Sequence, residues 1–148
     1  MKIAIEEIRN IEETEIIVKC KEVDEEVKRL IAQIQLMDTK IIAKKEDRSF
    51  ALIPSEIYYF ESIDNKVFAC MLKEVFEVQN KLYELEEILK NSTFLRVNKN
   101  TILNASKIHH FKSTMNGRME ATLKNKEVII ISRTYVSGLK MILGGTLK

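Results

Sequence analysis

Phe94-Leu95-Arg96-Val97-Asn98-Lys99-Asn100-Thr101-Ile102-Leu103-Asn104 sets two short apolar runs around a polar triplet. Residues 94–97 and 101–103 read as strands, and Asn98-Lys99-Asn100 reads as the polar segment joining them. Just upstream, Leu82, Leu85, Ile88 and Leu89 fall at helical spacing, so a helix is expected over 80–90, stopped by Asn91-Ser92-Thr93. Downstream, residues 107–114 enter a hairpin at Asn116-Gly117, a pair suited to a turn with positive φ at both central positions. Beyond it, Met119, Ala121 and Leu123 alternate with Glu120, Thr122 and Lys124. Lys124-Asn125-Lys126 turns the chain again, and residues 127–131 (EVIII) read as a buried strand. Ser132-Arg133-Thr134 leads into a short terminal helix built on Val136, Leu139, Ile142 and Leu143.

Outward in the other direction the chain is also β-rich from Thr39. Residues 40–45 and 49–53 flank a hairpin loop at Glu46-Asp47-Arg48. Residues 57–62 (IYYFES) and 67–72 flank a turn at Asp64-Asn65-Lys66, and Val75, Phe76 and Val78 suggest one more strand. Before Thr39 the pattern differs. Ile3 and Ile5, then Ile16, Val18 and Cys20, alternate as two short strands would. Val23, Val27, Leu30, Ile34 and Met37 are spaced 4, 3, 4 and 3, which predicts an amphipathic helix over 23–37. The reading is therefore α+β overall: an N-terminal β-β-α element over 1–38 and a mainly β domain over 39–148.

Charge divides at the same boundary. Residues 1–38 hold six Lys and Arg against ten Asp and Glu, a net of −4. Residues 39–148 hold eighteen against twelve, a net of +6. From Arg96 to Lys140 nine basic residues face only Glu120 and Glu127. A basic C-terminal side points to a polyanionic partner. No apolar run is long enough to span a bilayer, and the charged start MKIAIEEIRN does not read as a signal peptide, so the expected compartment is the cytoplasm. Cys20 and Cys70 lack metal-ligand spacing and read as reduced, small apolar residues. His109 and His110, adjacent on a strand, are expected to face opposite ways and hold no metal. No phosphate-binding glycine loop, nucleophile elbow or H-E-x-x-H motif occurs, so no enzyme activity and no cofactor are expected.

Three pieces in order, Ile57-Tyr58-Tyr59-Phe60-Glu61-Ser62, Phe94 through Asn104, and Ile130-Ile131-Ser132-Arg133-Thr134-Tyr135 followed by Leu139-Lys140, resemble the motifs of the LytTR DNA-binding domain family. The resemblance runs from about Ile41 to Leu143. It departs at Asn98, where many members carry His, and at Lys99-Asn100, which replaces a commoner Arg/Lys-Ser pair.

The resemblance implies an elongated β domain with short helices that reads repeated elements in double-stranded promoter DNA. Such domains insert loops into successive major grooves, usually as two copies, and bend the DNA. Most members carry a phosphoreceiver before this domain. The 38 residues preceding it here are too few for one. Some receiverless members are restrained by a membrane protein, so an inhibitory partner of that kind is implied, as is a homodimer on DNA.

Base readers need Arg or Lys for guanine and Asn for adenine. Arg133 leads, read as a fork projecting from a strand end. Lys99 and Asn100 follow, as the resemblance implies from the positions of the family's Arg/Lys-Ser pair, and Asn65 with Lys66 would reach a second groove. Ser132, Thr134 and Lys140 suit phosphate. The contrasting reading is a protein-interaction or anti-regulator module that keeps the fold without reading DNA, with the acidic N-terminal element as its working surface. RNA binding would call for exposed aromatic platforms, whereas Tyr58, Tyr59 and Phe60 read as strand core.

Overall fold

Helix α1 (Glu25–Leu36) begins where a side chain can satisfy its open end: the Asp24 carboxylate accepts from the Val27 N–H at 2.9 Å. Glu25 and Glu26 lie in the first turn, where the helix dipole favours anions. Glu25 pairs with Lys28 at 3.2 Å. The computed structural model describes residues 1–144, so the last four positions of the C-terminal domain expected over 39–148 lie outside the described residues.

Ten strands follow α1, joined almost throughout by short turns. They are β1 (Ile41–Lys45), β2 (Arg48–Leu52), β3 (Tyr59–Ile63), β4 (Lys66–Cys70), β5 (Val75–Val78), β6 (Phe94–Asn98), β7 (Thr101–Asn104), β8 (Ile108–Ser113), β9 (Met119–Leu123) and β10 (Val128–Ile131). Helix α2 (Leu82–Ile88) stands between β5 and β6, and α3 (Arg133–Ile142) follows β10. The first seven strands form one antiparallel sheet in the order β2-β1-β5-β4-β3-β7-β6. The last three form a second, β10-β9-β8. The fold is mainly β with three helices, as expected.

Two cores share strands β6 and β7. Phe94 and Ile102 enter the first, with Phe60, Leu82, Leu85 and Leu89. Val97 and Leu103 enter the second, with Met119, Ala121, Leu123, Ile131 and Leu139. Burial on both faces explains why β7 is buried at every position. Asn104 closes that strand as a polar staple. Its amide nitrogen donates to the Ile57 carbonyl at 2.9 Å. Its oxygen accepts from Thr93 Oγ1 at 2.8 Å and from the Ser106 backbone N–H and hydroxyl at 3.1 and 2.7 Å.

Three expectations are corrected. Residues 1–22 contain no strand, so the N-terminal β-β-α element reduces to α1. Alternation supplies a face, but a strand needs a ladder, and no neighbouring backbone pairs with this segment. The apolar run in β10 is not a buried strand: only Ile131 is buried, and Val128 and Ile130 are 50% and 45% exposed. Ile129 and Ile131 face the second core, and Val128 and Ile130 on the opposite face meet no packed element. His109 and His110 do not point apart either, since their Nδ1 atoms lie 2.9 Å from each other. The register of β8 slips between Ile108 and His110, and such an irregularity breaks the strict alternation of side chains.

Candidate nucleic-acid interface

Four chain reversals lie along one rim. The β3–β4 turn holds Asp64 and Asn65 at φ 50° and 64°, and Lys66 opens β4 with its side chain in solvent. Lys66 Nζ stands 3.8 Å from Glu77, both side chains being largely exposed. The β6–β7 turn presents Lys99 and Asn100, both exposed. Because β3 and β7 are neighbours, the two turns share one end of the sheet. The Ser62 N–H donates to the Asn100 carbonyl at 2.8 Å, which ties the root of the first to the second.

The β6–β7 turn is held from within. The Arg96 guanidinium donates to the carbonyls of Asn98 (3.1 Å) and Lys99 (2.8 Å) and pairs with the Glu86 carboxylate on α2. Asn98 accepts from the Asn100 N–H at 2.9 Å and donates to the Ile130 carbonyl at 3.0 Å, fastening the turn to β10. The ties within the turn are local, but those to Glu86 and Ile130 join residues 10 and 32 positions apart, and spacing along the chain does not show these two.

The Ser132 N–H donates to the Val97 carbonyl at 2.8 Å, which brings the start of α3 beside the same turn. Arg133 is therefore the first residue of α3 and not the tip of a strand. The chain turns helical directly after Ser132, whose carbonyl accepts from the Tyr135 N–H at 2.9 Å. Thr134 is exposed in the same first turn. The methylenes of Arg133 lie over the β8–β9 turn. A Cβ added to Gly117 would meet Arg133 Cδ and Cγ at 2.7 and 2.8 Å. Asn116 and Gly117 have φ 62° and 73°, the expected pair of positive values, and the Arg118 N–H donates to the Met115 carbonyl across the turn. Arg118 is exposed there and is a rim cation that sequence reading did not single out as a site residue.

The structure thus brings Asn65, Lys66, Lys99, Asn100, Ser132, Arg133 and Thr134 to neighbouring reversals. Lys140 stands apart, two helical turns or about 10 Å along α3 from Arg133. Among the described residues, Arg133, Lys99 and Arg118 make no ion pair. No group of three or more metal-ligating side chains occurs among them either.

The fold matches known proteins. The family model for the LytTr DNA-binding domain covers residues 47–144. The chain belongs to the LytTR DNA-binding domain family. Its match to that family begins in the β1–β2 turn and includes every rim residue named above. It is similar to the sensory transduction protein LytT of Enterococcus faecalis, with 26% identity over 99 residues, covering 67% of this chain and 41% of that one. The LytT of Bacillus anthracis is 29% identical over 98 residues, covering 66% and 40%. The chain therefore spans about two fifths of the length of these relatives. An uncharacterized HTH-type transcriptional regulator of Staphylococcus aureus is 30% identical over 86 residues, 58% of each chain.

A solved LytTr DNA-binding domain from a Bacillus cereus response regulator superposes with a TM-score of 0.67 at 22% identity. It covers 72% of this chain and 98% of that domain, which shows a shared fold. The LytTR chain carries no helix-turn-helix among its described residues, because strands separate each of its helices from the next. No helix among them is long and apolar enough to cross a membrane.

Proposed function

We propose that the chain is a sequence-specific, cytoplasmic transcription regulator that reads repeated elements in promoter DNA, with two copies on the DNA. In this reading Arg133, Lys99 and Asn100 address base edges in one major groove, and Asn65 with Lys66 reach into the next. Ser132, Thr134 and Lys140 hold phosphates. Residues 1–38 form a separate dimerisation or regulatory element. The observation that carries the reading is Arg133. Its guanidinium makes no ion pair among the described residues. Its stem is laid across Gly117, and its backbone starts a helix tied to β6. A planar fork held in this way matches the paired acceptors of guanine.

The test is a mobility-shift titration of the full chain on its own promoter, with footprinting, against random duplex of equal length. Binding that favours the promoter by several hundredfold or more is expected. Equal binding to both duplexes at all salt concentrations would replace this reading with that of an interaction module.

A further inference from the structure

Residues 1–22 are apolar in a pattern that the folded chain does not use. Ile16, Val18 and Cys20 alternate, yet no strand forms, and Ile16 and Ile17 are 65% and 74% exposed. Ile3 and Ile5 are 80% and 90% exposed. A segment of this kind keeps both its amides and its aliphatic side chains in water until another backbone pairs with it.

The same folded chain leaves a strand edge open. β2 is the terminal strand of the seven-stranded sheet. The two-residue turn at Glu46-Asp47 makes Lys45 and Arg48 the pair that exchanges both ladder hydrogen bonds. Alternation then turns the N–H groups of Ser49 and Ala51 away from β1, toward the open edge. Ile42, opposite Ala51 in the register, is 52% exposed and gives the edge an apolar neighbour. The edge carries charges of both signs, Lys44 and Arg48 beside Glu46 and Asp47, and so does the alternating run, with Glu15, Lys19 and Lys21. β2 also lies at the far end of the sheet from β6, whose turn carries Lys99 and Asn100. A strand added at β2 leaves the rim clear.

We infer that residues 15–21 of one copy add as a strand to the β2 edge of a second copy, reciprocally about a two-fold axis. Backbone pairing supplies the attraction, and Ile16 and Val18 beside Ile42 and Ala51 supply the register. The inference rests on the two-copy reading above but not on DNA recognition, so it is tested off DNA.

The experiment is size-exclusion chromatography with light scattering on the full chain over a concentration series. It is joined by lysine cross-linking of mixed isotope-labelled copies. A dimer is expected, with cross-links from Lys19 or Lys21 of one copy to Lys44 of the other. Ala51→Pro removes one outward amide at an edge strand, where proline is tolerated. Ile16→Lys alters a segment in which no strand or helix would be broken. Each should weaken self-association by about tenfold or more. A monomeric wild type, a dimer indifferent to both variants, or cross-links confined to single copies would overturn the inference. Capture of residues 1–22 by a membrane protein with the chain itself monomeric would do the same. A dimer of this kind that binds promoter and random DNA equally would remove the DNA reading and leave the strand exchange standing.

Discussion

Replacing Arg133 by Ala removes the guanidinium while leaving the Ser132–Val97 hydrogen bond and the start of α3 in place. If the fork spans two acceptors of one guanine, Arg133→Ala loses about 1–3 kcal/mol of discrimination between promoter and random duplex. Competition titrations measure this, and equal losses on both duplexes would reduce Arg133 to a phosphate contact. Asn104 is the opposite kind of residue. It is buried and satisfied by four hydrogen bonds, so Asn104→Ala strands the Ile57 carbonyl and the Thr93 and Ser106 groups together. A loss of about 2–4 kcal/mol is expected in denaturant unfolding, because a buried polar group left without a partner costs more than a typical hydrogen bond contributes.

Cys70 adds a pH dependence: burial pushes its thiol up to about 11 from an ordinary 9.0. Well below pH 9 the thiol is neutral in both folded and unfolded chains. As the pH rises through 9 toward 11, the unfolded chain gives up the proton more fully than the folded one, so stability falls through that window. Burial raises the Tyr59 hydroxyl as well, in the same direction. Unfolding free energies measured from pH 8 to 11 should decline, and Cys70→Ala should flatten the decline. An unchanged slope in that variant would exclude Cys70 as its source.

At the scale of elements, the β8–β9 turn and α3 act as one unit through Gly117 and Arg133. Gly117→Ala adds a methyl within 2.8 Å of the Arg133 stem at a residue with φ 73°. About 1 kcal/mol of stability should go to the left-handed backbone. The displaced guanidinium should in addition lower promoter discrimination. Asn116→Gly, which relaxes the neighbouring positive φ without touching Arg133, is the control and should keep discrimination intact. A Gly117→Ala protein with full discrimination would show that the turn does not position Arg133. The elements themselves were largely legible in the sequence wherever a pattern met a partner nearby in the chain. The Asn116-Gly117 turn, helix α1 and the alternation in β9 all formed as expected. Patterns whose partners are remote misled. The 127–131 run reads as buried, but only the face that carries Ile129 and Ile131 meets a core. Ile16, Val18 and Cys20 read as a strand for which the single chain has no ladder. Arg96 shows the same limit at the site, since its pairing with Glu86 depends on how α2 packs beside β6.

For the whole molecule the sharing of β6 and β7 between two cores matters most. Phe94 and Ile102 serve one core and Val97 and Leu103 the other, so the two sheets cannot part without opening both. The rim is assembled across that junction, with Lys66 and Lys99 on the larger sheet and Arg118 and Arg133 beside the smaller. If the rim meets DNA as proposed, its cations approach it as one fixed array, and binding should depend on salt as a set. If these four each displace a condensed counterion, log K against log salt falls with a slope of about −3 to −4 per copy, near −0.9 per phosphate. Lys99→Ala should lower that slope by about one if Lys99 meets a phosphate. If instead it reads a base, the slope should hold and discrimination should fall. Titrations from about 50 to 200 mM salt on promoter and random duplex separate the two roles, and a slope near zero on both duplexes would remove the rim from the contact altogether.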